Sequence, residues 1–96
     1  MPRIRTHPGE ILKEDYLLPL GLSAHALALA IGVPPNRISD IVRQRRGVTA
    51  DTAVRLGRYF RTSAEFWMNL QVAHDLSRVG AEHDYSRVGP RAVADA

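Results

Sequence analysis

Between positions 35 and 46 the sequence gathers side chains suited to gripping an anion or reading a flat, hydrogen-bonding edge: Asn36, Arg37, Ser39, Asp40, Arg43, Arg45 and Arg46. A guanidinium fork makes two parallel hydrogen bonds to a phosphate or to guanine, and an asparagine amide does the same with adenine. Asp40 is the odd member. A carboxylate only accepts, so it either accepts a hydrogen bond from a cytosine amino group or orients Arg37 or Arg43. Charge is unevenly spread. The net charge is only +3, yet residues 36–61 hold seven arginines against Asp40 and Asp51, a local balance of +5. Residues 1–35 sum to zero and residues 62–96 to −2. Twelve of the 13 basic residues are arginine, the cation whose planar fork suits bidentate recognition. A basic surface that is merely solvated would show the same charge, so the deciding question is which helix faces carry these groups.

Other chemistry is poorly provided for. There is no cysteine, which excludes disulfide frameworks and thiolate metal sites. His7, His25, His74 and His83 fall on different segments without metal-ligand spacing on one helix face, and are expected at the surface. No nucleophile–base–acid arrangement and no glycine-rich phosphate loop can be argued. The expectation is therefore no enzyme, no cofactor, no metal and no small-molecule substrate. At 96 residues the chain is one domain with a modest core. No apolar run approaches the roughly 20 residues that span a bilayer, and the basic stretch Met1–Pro8 lacks the apolar segment of a secretory signal. A bacterial cytoplasmic, nucleoid-associated location is expected.

Helical punctuation supplies the elements that must position the polar cluster. A first helix is expected over about Gly9–Leu18, with Ile11, Leu12 and Tyr16, together with Leu18, supplying the apolar spacing and Pro19 ending it. Ser23 caps a second, Ala24–Ile31, and Gly32 permits the left-handed turn after it, with Val33 plugging that turn. The third opens at Pro34-Pro35, where a missing N–H is harmless. Ile38, Ile41 and Val42 face inward; Asn36, Asp40 and Arg43 face outward, flanked by Arg37, Ser39 and Gln44. A loop over 44–48 containing Gly47 follows. Thr49 caps a fourth helix to about Phe60, with Ala53, Leu56 and Phe60 inward, and Ser63 caps a fifth, Ala64 to about Val79, stopped by Gly80. No segment alternates as a half-buried strand would, so the fold class is all-α. Residues 1–80 form the folded domain and 81–96 a loose or partner-ordered tail.

The spacing Ala28…Gly32-Val33…Ile38 has a physical logic. Two short helices crossing steeply need a small residue where they approach, a sharp turn, and apolar plugs that fix the angle of the second. A helix so held fits a DNA major groove about 12 Å wide. This pattern resembles the helix-turn-helix of Cro/C1-type repressors. The longer runs Gly32–Ile38, Gly47–Ala53 and Ser63–Gln71, with His7-Pro8-Gly9-Glu10 ahead of them, resemble the HigA antitoxins of type II toxin–antitoxin modules. The resemblance covers about residues 7–77. It implies a five-helix, lambda-repressor-like fold that dimerises, represses its own operon by binding double-stranded operator DNA, and neutralises HigB, a RelE-like mRNA-cleaving toxin. One position departs from the repressor pattern: Ala24 stands where a phosphate-contacting glutamine is common. The expected DNA-binding set is Pro35, Asn36 and Arg37 in the first turn of the third helix, then Ser39, Asp40 and Arg43, with Arg45 and Arg46 on phosphates. Ser23 is either a helix cap or a phosphate ligand as well.

On the fifth helix, apolar residues from Phe66 to Val79 span roughly 200° of surface, where packing on one core needs little over 100°. The surplus face, Met68, Val72, Leu76 and Val79, is expected to meet a twin subunit, unless the helix is almost wholly buried in one monomer. Trp67 lies off that stripe, either anchoring a protein partner or folding onto a neighbouring helix. Two alternatives to the antitoxin reading stand: a solitary phage-type repressor, and a protein-interaction module that never touches DNA.

Overall fold

The computed structural model describes residues 3–92 and has five helices and no strand among the described residues. Helix α1 comprises an α-helical turn Pro8–Ile11, a π-helical stretch Leu12–Leu17 and a closing α turn Leu18–Leu20. It is followed by α2 (Ala24–Ile31), α3 (Pro35–Val42), α4 (Ala50–Phe60) and α5 (Ala64–Glu82). None of these is long and apolar enough to cross a membrane.

Two expected boundaries are corrected. Pro19 does not end α1. In a regular α-helix its ring would crowd the carbonyl four residues back. The chain widens into π geometry just before it, with the Leu18 N–H donating to the Lys13 carbonyl five residues away, and so admits the proline. The helix stops at Gly21 instead, in the left-handed conformation at φ 60°. Likewise Gly80 does not stop α5, which runs on to Glu82. Nothing packs close to Gly80, so a glycine there costs only the roughly 1 kcal/mol of an exposed helix interior.

The caps of α2, α4 and α5 are where the residue types place them. Ser23, Thr49 and Ser63 accept from the backbone N–H of Ala26, Thr52 and Phe66. The core joins Leu12, Leu17, Leu27, Ala28, Ile31, Val33, Ile38, Ile41, Val48, Ala53, Leu56 and Trp67. Each fully buried leucine or isoleucine contributes about 1.5–3 kcal/mol of apolar transfer. The stripe expected on α3 holds: Ile38 and Ile41 are fully buried and Val42 half-buried. At the C-terminal end of that helix the backbones touch. A β-carbon at Gly9 would overlap the Ile41 carbonyl, so only glycine lets α1 seat against α3.

Candidate nucleic-acid interface

The turn between α2 and α3 is a double lock on carbonyls that helix geometry leaves unpaired. Gly32 sits at φ 74°, its N–H donating to the Leu29 carbonyl and that of Val33 to Ala28, at 3.3 and 3.0 Å. Arg55 of α4 adds a second lock. Its Nη1 donates to the Ile31 carbonyl at 2.7 Å, while its Nε is held by Asp51 at 3.0 Å. A cation at a helix C-terminus is also favoured by the helix dipole. In the sequence Arg55 is simply one more charge of the basic cluster. Its partner lies 24 residues away, and no local pattern announces it.

Held this way, α3 turns Ile38 and Ile41 inward and leaves Pro35 and Asn36 exposed at its first turn. Arg43, Arg45 and Arg46 are exposed beyond its end; Arg37, Ser39 and Asp40 are half-buried along its flanks. The Ser39 hydroxyl donates to the Asn36 carbonyl at 3.3 Å. Arg37 is not oriented by Asp40: its Nη1 reaches Asp51 Oδ2 at 3.3 Å, on the first turn of α4. That carboxylate thus holds both Arg37 and Arg55. Exposed pairs of this kind contribute about 0–1 kcal/mol, less than the roughly 1–3 kcal/mol of a bidentate base contact, so Arg37 is free to exchange partners. Ser23 serves as the α2 cap, its Oγ 3.0 Å from the Ala26 nitrogen, and is exposed.

After α3 the chain turns on Gln44 rather than Gly47. Gln44 takes the left-handed conformation at φ 63°, and the Arg45 N–H donates to the Asp40 carbonyl at 2.8 Å. This points the next two residues, Arg45 and Arg46, into solvent beside the α3 end. Among the described residues neither has an ion-pair partner.

Behind this loop stands α5. Trp67 is fully buried, its Nε1 donating to Thr62 Oγ1 at 2.8 Å, its ring among Tyr16, Phe60 and Phe66. Of its two readings, folding onto neighbouring helices is the one observed. The inward edge of α5 is therefore Ala64, Trp67 and Gln71. Val72 and Leu76 are 49% and 67% exposed, and Met68 and Val79 half-buried.

One histidine is corrected. His7 is buried, and packs edge-on against His74 with ring centroids 4.8 Å apart. Gly9 donates its N–H to His7 Nδ1 at 2.8 Å, making His7 the cap of α1; His74 Nδ1 donates to the Arg5 carbonyl at 2.7 Å. Burial pushes the His7 pKa below its usual value, helped by His74 and Arg78 and opposed by Asp75. The sequence placed these rings 67 residues apart and could not reveal their meeting. Among the described residues no cluster of three or more His, Asp or Glu could hold a metal ion.

The helix-turn-helix family model matches residues 13–67, from α1 to Trp67. Virulence-associated protein I of Dichelobacter nodosus is 61% identical over 88% of this chain and 74% of its own length. The Pseudomonas aeruginosa antitoxin HigA, solved with the higBA promoter, is 41% identical and superposes with a TM-score of 0.81, covering 97% of this chain and all of the other. The antitoxin GraA in complex with its operator is 42% identical with a TM-score of 0.87, covering 98% and 97%.

Proposed function

Because this chain belongs to the helix-turn-helix family, in the HigA antitoxin branch of its Cro/C1-type members, we propose that it binds operator DNA as a dimer, represses its own operon, and neutralises a HigB-like, RelE-type toxin by direct binding. One observation carries the DNA reading: the first turn of α3, with Asn36 exposed and Arg37 only loosely paired, stands clear of the core next to Arg45 and Arg46, which have no ion-pair partner among the described residues. Asn36 and Arg37 enter the major groove and read base edges. Ser39, Asp40 and Arg43 follow along the groove wall, while Arg45, Arg46 and the α2 start at Ser23 lie on phosphates. Pro35 gives α3 a rigid entry without an N–H to satisfy. The exposed side of α5, with Val72 and Leu76 between Met68 and Val79, is the dimer contact. A two-fold dimer sets two recognition helices about 34 Å apart, one turn of DNA. The solved relatives were captured on a promoter and an operator, which supports the same use here.

The test is a gel shift on the promoter of the gene's own operon, with co-expression and co-purification of the product of the adjacent gene. Retardation of the promoter but not of a scrambled duplex, with the neighbour retained on the column, is expected. Retardation without a retained neighbour leaves a solitary repressor. Absence of both refutes the reading.

A further inference from the structure

The buried amide of Gln71 is the polar group on α5 that the DNA reading leaves unexplained. It is 8% exposed, on the inward edge one turn beyond Trp67. Its Oε1 accepts from the Val48 N–H at 2.7 Å, across 23 residues, and its Nε2 donates to Asp75 Oδ1 at 2.9 Å. Asp75 therefore fixes which way round the amide lies: the oxygen must face the loop. Gly47 closes the fit. A β-carbon there would lie 2.9 Å from Gln71 Oε1 and within 3.0 Å of the rest of the amide, so the loop backbone is pressed directly onto this side chain. The same stretch carries Arg45 and Arg46, and together with Gln71 it walls a cleft of about 270 Å³.

We propose that Gln71 is a positioning residue for DNA binding: it clamps the loop at Gly47-Val48 so that Arg45 and Arg46 stand where backbone phosphates pass. The inference rests on the operator-binding reading above. Loops open more readily than the helices they join, and Gln44 already holds this one in a left-handed conformation that is unfavourable for a non-glycine residue. An amide bond from the longest helix offsets that tendency. Because the clamp governs phosphate contacts and not base contacts, removing it weakens binding to all DNA alike.

The experiment measures dissociation constants by fluorescence anisotropy on an operator duplex and a scrambled duplex across a salt series. Gln71→Leu is expected to weaken both duplexes by the same factor, about tenfold, and to flatten the salt slope by about one unit for each phosphate no longer neutralised. Gln71→Glu sets two carboxylates against each other and should weaken binding similarly. Adding Asp75→Asn restores a donor to the new carboxylate and should recover most of the affinity. In an Arg45→Ala/Arg46→Ala background, Gln71→Leu should cost nothing further, since the groups it positions are gone. An undiminished effect in that background, or unchanged binding by Gln71→Leu in the parent chain, overturns the proposal. If Gln71→Leu does not fold, the Glu and Glu/Asn pair decides by the same comparison. A parent chain that does not prefer operator over scrambled DNA overturns the operator reading itself, a result distinct from either.

Discussion

At the scale of single residues the arginines divide by what holds them. Arg55 is committed to two backbone carbonyls and Asp51, Arg37 is loosely held by Asp51, and Arg45 and Arg46 are held by no ion pair among the described residues. In the proposed mode of binding, phosphate contacts fall to the last two. Arg45→Ala should weaken operator and scrambled DNA equally and lower the salt slope by about one unit, read from binding isotherms at several salt concentrations. A change in base preference would show that Arg45 reads sequence. His7 makes the other residue-scale prediction. Its folded pKa lies below the unfolded one, so the unfolded chain binds the extra proton. Stability is then full above pH about 6.5 and falls as the pH drops below that value toward the lowered folded pKa. Protonation also removes the acceptor that caps α1. Urea midpoints at pH 7.5 and 5.5 should differ for the parent, and the difference should shrink in His7→Asn, which keeps a capping acceptor without titrating.

At the scale of elements, the caps and the apolar stripe of α3 were legible because each depends on residues within one or two turns. Ser23, Thr49 and Ser63 needed no tertiary context to be recognised. What escaped depends on long-range packing. Pro19 looked like a terminator because a π-helical stretch has no local signature, and Trp67 fell outside the apolar stripe because Tyr16 and Phe60, which receive it, belong to other helices. The proposed DNA-binding set was chosen from residue types on the outward face of α3, and its exposed first turn is where the structure puts it. The lock from Arg55 and the clamp from Gln71 were not legible, since their targets lie 24 and 23 residues away. Arg55→Met should lower stability by about 1–2 kcal/mol, seen as a lower urea midpoint with an unchanged m-value, because two carbonyls at the α2 end are deprived of a charged donor.

For the whole molecule, α5 joins two tasks. One edge buries Trp67 and Gln71 and so frames the α3 end, while the opposite side leaves Val72 and Leu76 in solvent. The chain extends 57 × 31 × 21 Å with a radius of gyration of 17.0 Å, well beyond the roughly 13 Å of a compact chain of this length. That extent includes the exposed stretch after α5; what suits a C2 partner is the exposed valine and leucine on the longest helix. Leu76→Glu should convert the proposed dimer to a monomer in analytical ultracentrifugation and weaken operator binding by at least about tenfold, since one half-site alone is then engaged. Base reading by α3 is tested most directly by the ratio of operator to scrambled-duplex affinity in Asn36→Ala/Arg37→Ala, measured beside the parent chain at one salt concentration. A ratio that collapses toward one, with scrambled-duplex affinity reduced by no more than a few-fold, is the predicted result; a ratio equal to the parent's would mean that the first turn of α3 reads no bases.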